Sequence, residues 1–515
     1  MKQYEMFEMI FPGKPLEDNW ADIPLTAEFT CGETKKRVHG FYDGGERYIV
    51  RFLPESAGEW HWAVHGLFSA EGTETCGPAE GRHGLVKAVD THFEYADGAC
   101  FYPFGTTVYA LASQEDALVE ETLESLKNAP FNKVRMCVFP KHYDYNHNEP
   151  PFYAFEKKAD GSWDVNRPCI AFWHRLESIL KRIAALDIQI DLILFHPYDR
   201  WGFAALPQKD NLIYLDYLLR RLSAFPNIWW SLANEYDLCM DHKTLADWEE
   251  IEACVAENDP FHHLLSSHNC MCFWDAGRKN ITHASLQTKA LSEIPRWIQK
   301  YQKPVVIDEC CYEGNLPHFW GSISGQEMVR RFWRCCASGG YCTHGETFLS
   351  DDEILWWARG GRLKGESPRR IAFLRQILES LPGPLTPVEG GFLALAQMEG
   401  EALEHSMRLI PAGMRDAIRL FAGSIRRMEP RDRAVHLAGE HTWEAHVGEE
   451  AYLTYFDLQC CGEQTVRLPA DKAYRAEWID VWEMKRQVIA ENISGETKLR
   501  LPGRDNLALL ITRIR

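Results

Sequence analysis

The chain has 515 residues, 45% hydrophobic and 25% charged, a composition that suits a globular protein of two or three domains. Its formal net charge of -18 would repel nucleic acid and anionic membranes, and no basic stripe offsets it, so neither is expected as a partner. A neutral or small polar ligand fits better.

The first residues, Met1 to Ile10, interleave charges among apolar positions, unlike a signal peptide. No stretch reaches the ~18 apolar residues of a membrane span. A cytoplasmic protein is expected. Up to about residue 88 the pattern is that of strands and tight turns. Arg47 to Leu53 follows the turn Asp43-Gly44-Gly45, and Trp60, Trp62 and Val64 alternate. Residues 1–88 are therefore read as an Ig-like β-sandwich.

From about Phe101 strands alternate with amphipathic helices, the mark of a parallel sheet with crossover helices. Strands are expected at Phe101 to Thr106, Lys133 to Pro140, Ile188 to His196, Asn227 to Glu235, His262 to His268, Ile281 to Thr288, Pro304 to Glu309 and Tyr341 to Phe348. Phe172, Leu176, Ile179, Leu180 and Ile183 share one helical face. Eight repeats with no Gly-rich turn after the first strand favour a closed (β/α)8 TIM barrel, α/β class, over a dinucleotide-binding sheet. The barrel is placed at residues 89–383, ending with a helix from Ser367 to Leu381 and the break Pro382-Gly383-Pro384. Beyond it, Gly391 to Leu395, Ala451 to Phe456, Gln464 to Leu468 and Leu507 to Ile511 read as strands, so 384–515 is expected to be a C-terminal β-sandwich.

Sixteen cysteines are scattered, with the neighbours Cys310-Cys311, Cys335-Cys336 and Cys460-Cys461. Adjacent cysteines bridge one another poorly, so free thiols are expected. Cys270-Met271-Cys272 lacks the ligands of a zinc site.

Reacting groups of a βα barrel sit at the C-terminal ends of its strands. Asn234-Glu235 ends the fourth strand and Ile307-Asp308-Glu309 the seventh. Two strand-end glutamates able to approach to ~5 Å are what a retaining glycosidase needs. Taken alone, Asn234-Glu235 could equally be a helix start, with Asn capping and Glu near the dipole. Arg135, inside strand two, could hold Glu309 ionised. His196 and His268 end strands three and five and are candidates for sugar hydroxyls, as is Glu346 on strand eight. Asp199 and Trp201, in the loop after strand three, pair a carboxylate with an aromatic platform; Trp274, Trp320 and Trp356 lie in other expected βα loops.

The strand-four Asn-Glu together with the strand-seven Glu resembles glycoside hydrolase clan A, the cellulase-like retaining enzymes, over about Phe101 to Leu381. An Ig-like domain, a barrel and a C-terminal β domain in this order, with His196-Pro197-Tyr198-Asp199-Arg200-Trp201-Gly202 after strand three, is similar to a branch of bacterial proteins related to apiosidases. The resemblance implies Glu235 as general acid/base, Glu309 as nucleophile and Asn234 on the sugar 2-hydroxyl. The implied activity is retaining, exo-acting hydrolysis of small oligosaccharides or plant glycosides, some of them apiose-containing. One departure stands out: the clan carries a tyrosine or histidine near the end of strand six that orients the nucleophile, where this chain has Ser285-Leu286-Gln287-Thr288. Gln287 is the candidate substitute.

A metal-dependent barrel hydrolase would carry His-x-His on strand one, and Tyr102 to Thr107 has no ligand, so neither metal nor cofactor is expected. A catalytically inactive carbohydrate-binding protein is the other alternative, against which both intact glutamates argue. The flanking β domains leave a role in walling the cleft or in homo-oligomerisation open.

Overall fold

The computed structural model describes residues 1–388, 400–408, 412–439 and 443–514. The expected strand at Gly391 to Leu395 lies outside them.

Two antiparallel sheets form the N-terminal region. One pairs Phe7–Pro12 with Arg47–Phe52 and Phe41–Tyr42; the other runs Thr34–His39, Leu25–Cys31, Gly58–Gly66 and Ala70–Cys76. Leu25, Ala27 and Phe29 are buried at every second position, the period of a strand with one wet face. Phe29 stacks on Phe52 of the other sheet with 3.9 Å between ring centroids, and Trp60 and Val64 complete the shared core.

The sandwich is tied to the barrel by charge as well as by packing. Arg51 donates 2.8 Å bonds to both carboxylate oxygens of Glu177 on the helix Ile170–Ala184. Arg221, on the helix Gln208–Leu222, donates to the same Glu177 at 2.7 Å and lies 2.9 Å from Asp43. All four side chains are buried, and each charge has an opposite partner, the condition under which buried ions are tolerated.

All eight barrel strands are present and parallel. In sheet order they are Leu265–Ser266, Ile228–Ala233, Gln189–Phe195, Lys133–Cys137, Phe104–Thr107, Tyr341–His344, Val305–Glu309 and Ala284–Gln287. The parallel bridge His268 to Ser285 joins the two ends, strands five and six, and closes the cylinder. Strand one starts later than its apolar run suggests, because Pro103 has no N–H to give a ladder. Cys100–Phe101 instead joins His92–Tyr95 and Val86–Val89 in a small sheet whose Phe93 and Phe101 pack on Trp229 at 5.0 and 6.0 Å.

Side chains fill the barrel interior with paired ions. Lys133 bonds Asp308 at 2.6 Å and lies 3.0 Å from Asp191, while Arg135 reaches Asp191 at 3.2 Å. Ser285 and Thr343 donate to Asp308 at 2.6 and 2.7 Å. Burial alone would push the Asp308 carboxyl up, but Lys133 and Arg135 outweigh it and hold the group far below the usual carboxylate range. This layer is the floor on which the strand-end groups stand.

The C-terminal region holds a six-stranded sheet, Thr386–Pro387, Trp443–Val447, Ala451–Tyr455, Leu507–Arg513, Tyr474–Asp480 and Lys485–Ile493, and the pair Glu463–Arg467 with Glu496–Arg500. Leu468, Tyr474, Ala476, Leu499 and Leu509 share one apolar cluster. Among the described residues three helices, Gly400–Arg408, Ala412–Arg426 and Pro430–Gly439, interrupt the region expected as a β-sandwich. Ile418, Ala422 and Ile425 are buried at spacings of four and three, so a helical period was present there. By contact the chain divides into two compact units, residues 1–289, 300–328 and 342–372, and residues 290–299, 329–341 and 373–515. Among the described residues no helix is long and apolar enough to cross a membrane, and the sixteen cysteines form no disulfide there.

Candidate active site

Glu235 follows strand four in the left-handed region, with φ 56° and ψ 56°. A side chain other than glycine rarely accepts that conformation, which turns the carboxyl sharply off the strand end. A short 3-10 turn, Tyr236–Cys239, begins after it and receives no side-chain cap, so Asn234-Glu235 is not a helix-capping pair. Instead Asn234 Nδ2 donates to Glu235 Oε2 at 3.2 Å, Tyr198 donates its hydroxyl to the same oxygen, and Gln287 bonds the carboxyl from strand six.

Glu309 closes strand seven. Tyr109 donates its hydroxyl to Glu309 Oε1, Tyr312 bonds the same carboxyl, and Arg135 Nη1 stands 3.9 Å away. Burial pushes the Tyr109 and Tyr312 hydroxyls well above the ordinary phenol value, so both stay protonated donors. Gly345 makes room for Tyr312: a Cβ there would stand 2.0 Å from the tyrosine ring.

The two glutamates feel each other. Burial raises the pKa of Glu235, and the nearby Glu309 raises it further, against the opposing pull of Lys141, Tyr198 and Gln287. Lys141, just beyond strand two, sits at 3.7 Å from the Tyr109 ring centroid, 4.3 Å from that of Tyr198 and 5.0 Å from that of Tyr143. Trp357 packs edge-on against Tyr143 at 4.8 Å and near Tyr312 at 5.6 Å, which places an aromatic wall beside the pair.

Of the residues singled out from sequence, Glu235, Glu309, Asn234, Gln287 and Arg135 converge. His196 and His268 are buried nearby. His196 Nε2 faces the Phe139 carbonyl at 3.2 Å, burial pushes its pKa down to about 3, and its Nδ1 has no partner. Both His268 nitrogens are without a partner among the described residues, and burial holds that ring neutral too.

Three others are not brought to the pair. Asp199 uses both oxygens on its own loop, accepting from the amides of Trp201, Gly202 and Ala204 at 2.7, 3.2 and 2.7 Å. Trp201 donates its indole N–H to Glu149 at 2.9 Å, under the guanidinium of Arg200. Glu346 accepts from the amides of Lys364 and Gly365 at 2.6 and 2.7 Å, beside Glu313, which takes those of Glu366 and Ser367. These two acids fasten the start of the helix Ser367–Glu379. Burial pushes Glu346 up to about 7 against its two amides, and Glu313 adds to the push. With His344 they form a group of described residues whose ligand atoms lie within 4.8 Å of one another and could hold a metal ion. Trp274 and Trp356 are buried, bonded to Glu252 and Thr106.

Sequence reading missed Tyr109, Tyr312, Tyr198 and Lys141. Tyr198 lay within the quoted loop motif, and Tyr109 lies two residues past strand one, where a barrel places its working groups. The orienting tyrosine sought on strand six comes from the loops after strands one and seven, and Gln287 serves Glu235 instead.

Residues 88–381, more than half of the chain, match a family model described as apiosidase-like, catalytic domain. Residues 1–66 and 435–512 match two domains of unknown function, DUF5060 and DUF5605. A solved structure from Bacteroides vulgatus ATCC 8482, described as a "putative glycoside hydrolase", is 34% identical, covers 100% of this chain and 99% of its own, and superposes with a TM-score of 0.84. A family 5 glycoside hydrolase from the same organism is 15% identical over 84% of this chain and 93% of its own, with a TM-score of 0.57, a likeness of fold alone. No functionally curated protein matches the chain.

Proposed function

Given that the chain belongs to the apiosidase-like catalytic domain family and is a glycoside hydrolase, we propose that it is a retaining, exo-acting enzyme that removes a small glycone, apiose among the candidates, from an O-glycoside. The observation that carries this reading is the asymmetry between the two strand-end carboxyls. Glu309 is ringed by two hydroxyl donors and a guanidinium, while burial and the nearby Glu309 favour the neutral form of Glu235.

Each then has one part in a double displacement. Glu309 attacks the anomeric carbon as Glu235 gives its proton to the departing glycosidic oxygen. The Glu309 charge is thereby consumed, the pKa of Glu235 falls, and the Glu235 carboxylate takes a proton from the water that releases the sugar. Asn234 Oδ1 has no partner among the described residues and is free to accept from the sugar 2-hydroxyl, while Nδ2 holds Glu235. Exo action is favoured by depth: Glu235 and Glu309 are 6% and 4% exposed, which suits the end of a glycoside better than the middle of a polymer.

The test is a panel of aryl glycosides, furanosides and apiosides included, run on wild type, Glu235→Gln and Glu309→Gln, with the first-formed anomer identified by NMR. Each variant should lose several orders of magnitude, about 4 kcal/mol or more of barrier. Near-normal activity in either one, or an inverted product, sinks the mechanism.

A further inference from the structure

Lys141 is 2% exposed, yet its ammonium donates to no acceptor and lies within 4.0 Å of no carboxylate among the described residues. Three tyrosine rings surround it, with Tyr109 and Tyr198 also being the donors to Glu309 and Glu235. Ring faces attract a cation but satisfy none of its three N–H directions. An ammonium with so little access to water and no protein acceptor is costly, and an arriving acceptor offsets that cost. We propose that Lys141 is a substrate-binding residue that donates to a hydroxyl oxygen of an uncharged glycone seated at Glu235 and Glu309; this rests on the glycosidase reading above.

Charge at the site selects the uncharged sugar. The buried cations Lys133 and Arg135 pair with the buried anions Asp191, Asp308 and Glu309, Lys141 adds a third buried cation, and the proposed mechanism starts with Glu235 neutral. Three of each sign leave no net charge to be matched. A uronic acid would bring an uncompensated carboxylate into a pocket already balanced, at a large desolvation cost. A neutral hydroxyl fills the vacant acceptor position and leaves the balance intact. Burial also lowers the pKa of Lys141, and Glu309 is among the groups that oppose that fall.

The experiment is calorimetric titration of neutral alkyl glycosides, whose leaving group needs a proton, into Glu235→Gln, which preserves the neutral starting charge at 235 and leaves the ligand uncut, and into Glu235→Gln/Lys141→Met. Loss of the ammonium should weaken binding about 100-fold, the size of one hydrogen bond to a charged donor. One monodeoxy glycone should bind the double variant as well as the parent sugar does. Lys141→Met alone should unfold at the same temperature as wild type or above it, whereas a structural lysine would lower it. Unchanged affinity without Lys141, tighter binding of the corresponding uronide, or no binding of any neutral glycoside overturns the assignment. Lys141-dependent binding with no cleavage by wild type would sink the hydrolytic reading and leave this one standing. Cleavage that needs Glu309 but ignores Lys141 would do the reverse.

Discussion

Tyr109, two residues past the first barrel strand, donates its hydroxyl to Glu309 at the end of the seventh, and the same hydroxyl accepts from Arg135 at 3.3 Å. The guanidinium therefore reaches the proposed nucleophile partly through the tyrosine. Tyr109→Phe should lower kcat/KM about 100-fold, the worth of one hydrogen bond to a charged acceptor. Steady-state kinetics within threefold of wild type would show that Glu309 does not depend on this donor.

Gly345 offers a way to disturb Glu309 without touching any polar group. Its missing Cβ is the space occupied by the Tyr312 ring, so Gly345→Ala should displace Tyr312 and cost activity by an order of magnitude or more, as small misplacements near a reacting group do. Gly345→Ala combined with Tyr312→Phe should be little worse than Tyr312→Phe alone if the two changes act through one hydroxyl. Additive losses would separate them.

The raised pKa of Glu235 sets the alkaline limb of the pH profile. The acid is neutral below its folded pKa, so kcat/KM toward glycosides with poor leaving groups should hold through the ordinary carboxylate range and fall as pH rises through the raised value. Aryl glycosides whose leaving group needs no proton should lack that limb. Glu235→Gln should cripple the first class by several orders and the glycosylation step of the second far less. An alkaline limb common to both substrate classes would assign it to another group.

Glu346 makes stability, rather than activity, depend on pH. Its pKa rises from 4.5 in the unfolded reference to about 7 when folded, so the folded state holds a proton that the unfolded state has released between those values. The neutral form's advantage is fully present below pH ~4.5 and is lost as pH climbs toward 7, an amount of about 3 kcal/mol. Denaturant unfolding at pH 5 and pH 8 should show wild type losing stability relative to Glu346→Gln. A constant difference between the two proteins would mean that Glu346 is ionised throughout.

The strands were legible because parallel barrel strands are buried on both faces and read as unbroken apolar runs, as in Ile228-Trp229-Trp230-Ser231-Leu232-Ala233, every residue of which is buried. Glu235 and Glu309 followed, since each is an acid at the C-terminal end of such a run. What the sequence hides is convergence between distant loops. Tyr109 and Glu309 are 200 positions apart, and nothing local to either announces the other. Asp199 and Glu346 show the opposite failure: each has the right chemistry, one in the loop after strand three and one expected on strand eight, but both oxygens of each are taken by backbone amides. Trp356 and Trp357 differ only in helical phase, and phase puts the first in the core and the second against Tyr143 and Tyr312. At Ala412–Arg426 the apolar spacing was helical, and the surrounding strands drew the reading away from it.

The paired ions between sandwich and barrel bear on anyone who would trim this enzyme. A construction starting at residue 89 would delete Arg51 and Asp43 together, leaving Arg221 to share Glu177 alone at a surface shaped for two more charges. The barrel is therefore a poor candidate for a free-standing minimal enzyme. Grafting it beneath a relative's first domain would succeed only where that domain carries the same arginine and aspartate in the same register.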